Sequence, residues 1–451
     1  MVKAPRRYSI LALPNKGYLK AILNKHYSLF GILFGSVLVA ISLGAYSNWD
    51  SLTEYEAASG IIKWGFPYLT FGNLINQPPV GYYVDAFFFK IFGLSYETGV
   101  TVITLFGVGC VFLVYEVGQV LYGKRTGLFA AALFGLTPWH VVLSRSFLID
   151  AQCLFFSLLY LLVGIWAIRK GSLKILFVSG ILFGLALLTK AFGVYMLIPL
   201  SLTYIYWRPK DLKRIIEGIG VFFLPAFLLH YFWYDIISRQ GLFSIFRHSD
   251  FVAYFPEGIV PSYFFLVNYF LNNLGAFFLV ACILSLILSL SQRKFFAKFL
   301  VFDLVCFVTI ICVAGLNAFL ALGRNLWVPY VDPIKYDYQI LPSFCWLAAS
   351  LANKCYSLRN WVNLKGKQHK LIFSIALIGL ILLMGSMIVN MQTLNTFIRQ
   401  DYLLFKVEGG VGYSFERFAP IIEPNYLVAI QGLGFVLIIF TLLWVNKDKL
   451  K

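Results

Sequence analysis

Charge is scarce in this chain of 451 residues: Asp, Glu, Lys and Arg together make up 13%, about half the share in an ordinary soluble domain. That scarcity, beside 60% apolar residues, excludes a soluble globular protein. Many apolar runs reach the roughly 18–20 residues that cross a bilayer core. The runs are continuous rather than alternating, which excludes a closed β-barrel. Acids are scarcer than bases, 20 against 37, giving a net charge of +17. Such an excess can mark a nucleic-acid binder, but here it lies in short clusters between apolar runs, the positive-inside pattern of membrane proteins. No nucleic-acid partner is expected. The chain also lacks any CxxC pair or Cys/His cluster, and six of its seven cysteines sit in apolar runs. Neither a disulfide framework nor a zinc site is indicated. There is no repeat at a solenoid period and no polar stretch large enough for an appended soluble domain. The basic N-terminus leads into a long apolar run without a small-residue cleavage site, so it reads as a retained first span rather than a signal peptide.

What is present is an all-α polytopic pattern. Spans are expected near 27–46, 100–121, 127–143, 149–168, 173–189, 191–207, 215–234, 263–290, 298–322, 337–353, 370–390 and 427–445, about twelve in all. Residues 81–93 are apolar but short and carry Asp85 and Lys90, so they read as an interfacial or re-entrant helix after the first span. Charge supports that choice. With both termini cytoplasmic, the basic clusters Lys124-Arg125, Arg169-Lys170, Arg208 to Arg214, Arg293-Lys294 and Lys354 to Lys370 all fall inside; a full span at 81–93 would invert everything after it. The outside then holds 47–99, 235–262, 323–336 and 391–426. Residues 1–210 read as the membrane core with the first outer loop 47–99, and 211–451 as a variable transmembrane part.

The chain is organised around Asn48 to Tyr83, which holds three carboxylates within seven residues, Asp50, Glu54 and Glu56, followed by aromatics, turn residues and the Pro78-Pro79 pair. This composition suits a segment on the membrane surface beside a polar site. Other charges collect at the same level: Arg145 and Asp150 in SRSFLIDAQ, Lys190 in LLTKAFG, Arg247 in the outer loop after the seventh span, and Arg324 and Lys335 beside the later outer loop. An ionisable group in hydrocarbon costs roughly 2.5–3.5 kcal/mol on insertion scales, so such groups face a cavity or a partner. Two acids and several bases at one boundary suggest an anionic lipid headgroup met by cations, with a carboxylate beside it. Glu54 and Glu56 read as the solvated face of a surface helix. His140 in TPWHVV reads as a hydrogen-bonded packing residue near the site, and Asp303, Glu116 and Glu217, near inner span ends, as structural.

From Asp50 and NQPPVGYY onward the chain resembles the GT-C membrane glycosyltransferases, specifically the dolichyl-phosphate-mannose protein mannosyltransferases (glycosyltransferase family 39) and the related aminoarabinose transferases. That family shows an Asp-Glu pair after its first span, a Gly some fifteen residues on, and then Lys-Pro-Pro-Leu-x-Tyr. Asp50, Gly65, Pro78, Pro79 and Tyr82/Tyr83 fit the layout. YGKRTGLFAAALFGLTPWHVVLSRSFLIDA, GLALLTKAFG and KYDYQILPSF extend it. Two departures stand out: Ser51 replaces the usual Glu, and Gln77 replaces the Lys that the family associates with the donor phosphate.

The resemblance implies a multi-pass enzyme, expected in a prokaryotic cell membrane. It would move a mannose-like sugar from a polyprenyl-phosphate donor to a hydroxyl of a protein, glycan or lipid acceptor on the extracytoplasmic face. In that scheme Asp50 is the general base and Asp150 orients the acceptor or shares that role. Arg145, Lys190 and Arg247 meet the donor phosphate, and Gln77, Tyr82, His140 and Tyr336 line the substrate. Direct attack inverts the anomeric centre. No metal or other cofactor is required, although two nearby carboxylates are of the type that binds one. The competing class is a transporter or flippase for a lipid-linked or anionic substrate. It needs the same basic cavity but no base, and its related halves and broken midplane helices are not visible here.

Overall fold

The computed structural model describes residues 16–42, 49–70, 72, 74–75, 77–207, 212–239, 274, 276–292, 296–322 and 338–361. Among them the secondary structure is helical, with one isolated antiparallel bridge between Tyr68 and Leu74. Helix α1 (Lys16–Ser42) is followed by α2 (Trp49–Trp64), α3 (Val80–Phe92), α4 (Tyr96–Tyr122), α5 (Lys124–Leu136), α6 (Pro138–Ser144), α7 (Asp150–Lys170) and α8 (Leu173–Thr189). A 3-10 segment, Ala191–Met196, leads into α9 (Leu197–Trp207), then α10 (Leu212–Arg239), α11 (Ala276–Ser291) and α12 (Ala297–Leu322). A second 3-10 turn, Tyr338–Ile340, opens α13 (Leu341–Trp361).

Helix α7 is the axis of the bundle: it packs on α4, α8 and α9. The α7–α8 hairpin turns at Gly171, whose φ of 66° is the left-handed conformation that glycine takes without a Cβ clash. Ser172 then caps α8 by accepting the Ile175 N–H. On its far side α8 lies against α10 so closely that a Cβ on Gly180 would stand 2.1 Å from the Phe222 carbonyl oxygen. Small residues of this kind let helices approach where no water is available to drive association. Trp346 of α13 donates its indole N–H to the Val114 carbonyl of α4, tying the late helices to the early core.

The outer surface is apolar. On α10, Phe223, Leu224, Phe227, Leu228, Tyr231 and Phe232 are exposed, a surface that lipid solvates and water does not. Three described stretches are long and apolar enough to cross a bilayer: Tyr96–Tyr122, Asp150–Lys170 and Lys213–Trp233. The expected spans at 100–121, 149–168 and 173–189 coincide with α4, α7 and α8. The expected single span 127–143 is instead two helices, broken at Thr137-Pro138, because proline cannot donate to the preceding turn. The expected span 191–207 opens as a 3-10 segment. Residues 81–93 form a separate helix, as expected: Gly93 ends α3, and the Ser95 hydroxyl caps α4 by accepting the Thr98 N–H. Its inner face carries Gly81, Tyr82, Asp85, Ala86 and Phe89, while Phe87, Ile91 and Phe92 are exposed. The expected spans 370–390 and 427–445 lie outside the described residues.

At the end of the bundle away from α2 and α3, Lys354 and Asp303 form a fully buried ion pair. Lys354 also donates to the Ser285 carbonyl and hydroxyl, and Ser289 and Ser350 donate to Asp303. With hydrogen bonds on both partners, the pair meets the condition under which buried charges are retained. It joins α11, α12 and α13.

Candidate functional site

The start of α7 gathers groups from α2, α3 and the end of α8. Asp150, its first residue, is 3% exposed and pairs with Lys190 at 2.8 Å. Lys190 ends α8 in extended backbone, and its carbonyl accepts from the Gly193 N–H. This geometry sends its side chain toward α7 instead of continuing the helix. One residue before Asp150, the Ile149 N–H donates to Glu54 Oε2 of α2 at 2.8 Å. Two residues after it, Gln152 donates to Asp85 Oδ1 of α3 at 2.6 Å. Arg145, at the end of α6, donates to Thr104 Oγ1 of α4 at 3.1 Å, and the Thr104 hydroxyl in turn donates to the Ser144 carbonyl. Arg145, Asp150 and Lys190 therefore occupy one end of the bundle, on three chain segments.

Around this cluster lie the other expected residues. Tyr82 is buried and donates to Gln77 Oε1 at 3.2 Å. His140 is buried, lies against the Phe134 ring at a tilt and shares a 2.6 Å hydrogen bond with the Tyr338 hydroxyl. The packing role read for His140 fits this geometry. Asp50 lies in the first turn of α2. Its side chain, Arg247 and Tyr336 lie outside the described residues.

Glu54 requires a correction. The sequence places it on a solvated face, but it is 1% exposed and bonded to the start of α7. Helix α2 does not float on the surface. The Tyr55 ring meets Phe89, Tyr96 and Phe147 at centroid distances of 5.7 Å, and Tyr96 donates to the buried Ser51 hydroxyl. The Ser51 departure from the family pattern thus has a local structural partner. Sequence reading also passed over Gln152, Tyr338 and Gln339. Gln339 donates to Cys153 Sγ, one turn along from Asp150. A buried amide in an apolar run is the feature that marks Gln152.

Burial pushes the Asp85 carboxyl well above the usual carboxylate range, and the nearby Glu54 charge adds to this, while the Gln152 hydrogen bond opposes it. Asp85 Oδ2 and Gln152 Oε1 have no hydrogen-bond partner among the described residues. The folded protein then binds more protons than the unfolded chain between the ordinary carboxylate value and the raised one, and loses stability as pH rises through that window. Asp85→Asn, isosteric with the neutral acid, will leave the unfolding temperature at neutral pH unchanged or higher and flatten that fall. Thermal unfolding across a pH series checks both.

The fold is shared with solved structures of membrane transferases. The Archaeoglobus fulgidus oligosaccharyltransferase AglB, solved with an inhibitory peptide and a dolichol-phosphate, aligns over 83% of this chain and 56% of its own, at 16% identity and a TM-score of 0.54. ArnT from Cupriavidus metallidurans aligns over 95% of this chain and 77% of its own, at 14% identity and a TM-score of 0.51; ArnT has also been solved bound to undecaprenyl phosphate. The helical bundle therefore shares its fold with these structures. More particularly, residues 76–233 match the family model described as dolichyl-phosphate-mannose-protein mannosyltransferase. Over 183 residues the chain is 32% identical to "Putative mannosyltransferase YkcB" of Bacillus subtilis (strain 168), which covers 38% of this chain and 26% of that protein. The chain thus spans about a quarter of the length of that relative. The matched segment contains Gln77, Tyr82, His140, Arg145, Asp150 and Lys190.

Proposed function

We propose that this protein transfers a mannose-like sugar from a polyprenyl-phosphate donor to an acceptor hydroxyl, at the end of the bundle where α2, α3 and the start of α7 meet. The observation that carries the reading is the buried Asp150–Lys190 pair, with Arg145 five residues before Asp150, inside the segment matched by the mannosyltransferase family model. The relatives solved with dolichol-phosphate and undecaprenyl phosphate support a lipid-linked donor.

The chemistry follows from the charges. The leaving group is a phosphate monoester, so negative charge grows on its oxygen as the glycosidic bond breaks. Arg145 and Lys190, with Arg247 from the outer loop, stabilise that charge. Asp50 takes the proton of the acceptor hydroxyl as its oxygen attacks the anomeric carbon, and the configuration inverts. Asp150 holds Lys190 and orients the acceptor, which is a protein, glycan or lipid hydroxyl. Gln77, Tyr82, His140 and Tyr336 shape the pocket. Nucleotide sugars are absent outside the cell, so an extracytoplasmic site in a prokaryotic membrane requires a lipid carrier. The scheme routes no step through a metal.

The test is transfer of radiolabelled sugar from polyprenyl-phosphate-mannose by the purified protein in lipid, with and without EDTA. Labelled product that survives chelation is expected. Loss of product on chelation would put a cation between the acids and overturn the metal-free scheme. Vectorial movement of a lipid-linked sugar across vesicles without transfer would replace the reading with a flippase.

A further inference from the structure

We propose that Glu54 is a positioning residue for this transfer: by accepting the Ile149 N–H it fixes the helix that carries Asp50 against the first turn of the helix that carries Asp150. The inference rests on the transferase reading and extends it to how the two carboxylates keep their spacing.

The start of α7 poses a specific problem. The first N–H groups of a helix have no intrahelical acceptor. Ile149 occupies the N-cap position of α7, and no side chain of its own caps the helix. A helix commonly answers with a Glu or Gln at its third position, reaching back to the N-cap N–H. That position is Gln152. Its amide is turned toward α3 instead and donates to the buried Asp85. The vacated role falls to Glu54, which comes from another helix 95 residues earlier and meets the Ile149 N–H at 2.8 Å. Its negative charge suits the positive end of the α7 dipole.

The consequence is geometric. Asp50 stands one helical turn before Glu54 on α2, and Asp150 is the residue that follows Ile149. A single buried hydrogen bond therefore lies one turn from one candidate carboxylate and one peptide from the other. The Tyr96–Ser51 bond and the aromatic contacts of Tyr55 hold α2 close to α3 and α4, but neither reaches α7, and ring packing tolerates sliding along the helix axis. A 2.8 Å hydrogen bond does not. Glu54 is what sets the axial register of α2 on α7.

The test compares Glu54→Ala, Glu54→Gln and wild type for kcat and donor KM, and for amide hydrogen exchange in the 146–152 segment. Glu54→Ala should lower kcat on the order of 100-fold, the scale of a small misplacement of reacting groups, with donor KM within about threefold and faster exchange at 146–152 alone. Glu54→Gln keeps a carbonyl oxygen at the same reach and should recover most of kcat and the slow exchange. Should Glu54→Ala fail to fold, Glu54→Asp, one methylene shorter, carries the same expectation. Full kcat in Glu54→Ala, lost kcat with unchanged exchange, or Glu54→Gln as impaired as Glu54→Ala would overturn the proposal. If wild type transfers no sugar from any polyprenyl-phosphate donor, the transferase reading falls. The exchange comparison then decides alone whether Glu54 holds the two helices.

Discussion

Asp50→Asn will lower the rate of sugar transfer by about 100- to 10,000-fold, the range a positioned general base contributes. In barrier terms that is about 3–5.5 kcal/mol. The variant keeps the size of the side chain and removes its ability to take a proton. Folding should be untouched, because other residues hold α2 in place: Ser51 accepts from Tyr96, Glu54 accepts from Ile149, and Tyr55 packs on three aromatic rings. Single-turnover transfer from polyprenyl-phosphate-mannose, beside thermal unfolding of the same preparation, measures both. A variant that folds normally and transfers at the wild-type rate would remove Asp50 from the mechanism.

Lys190→Met should have the largest effect on stability among changes at the site. It leaves Asp150, 3% exposed, without its 2.8 Å partner. Breaking a buried pair by removing one member costs about 3–5 kcal/mol, because the remaining charge stays buried. Adding Asp150→Asn removes that orphan charge, so the double variant should regain most of the lost stability. On the proposed scheme transfer should stay at least about tenfold down in both, because the cation assigned to the phosphate is gone in each. The cycle thereby separates the two roles of Lys190. If the double variant recovers transfer together with stability, Lys190 is structural and has no part in the chemistry.

Legibility of the site in the sequence tracked the cost of burying charge. Asp150, Lys190 and Arg145 stood out because each sits in apolar sequence, where an ionisable group needs a partner; Asp150 and Lys190 proved to be partners of each other. That Val80–Phe92 would be a short helix of its own was legible for a related reason, since Asp85 and Lys90 interrupt its apolar run. Glu54 was not legible. It lies among polar residues on a short helix, and its burial comes with contacts far off in the chain, such as the bond from Ile149, 95 residues away. No periodicity in a window carries that information. The break at Thr137-Pro138 was hidden because hydropathy runs smoothly through it, although the proline itself was the available cue. The bond between His140 and the Tyr338 hydroxyl was not legible either, because it joins residues 198 positions apart.

The buried Lys354–Asp303 pair bears on biogenesis. Each charge entering a bilayer core alone costs up to roughly 2.5–3.5 kcal/mol on insertion scales, and pairing offsets that cost only when both helices are present. Asp303 is carried by α12 and Lys354 by α13, and their serine partners come from α11 and α13. During synthesis α12 emerges first, with its acid unmatched until Lys354 has been made. The last described helix therefore serves as the latch that lets the one before it settle in lipid, and a chain cut before Leu341 would leave a translocon holding an unneutralised Asp303.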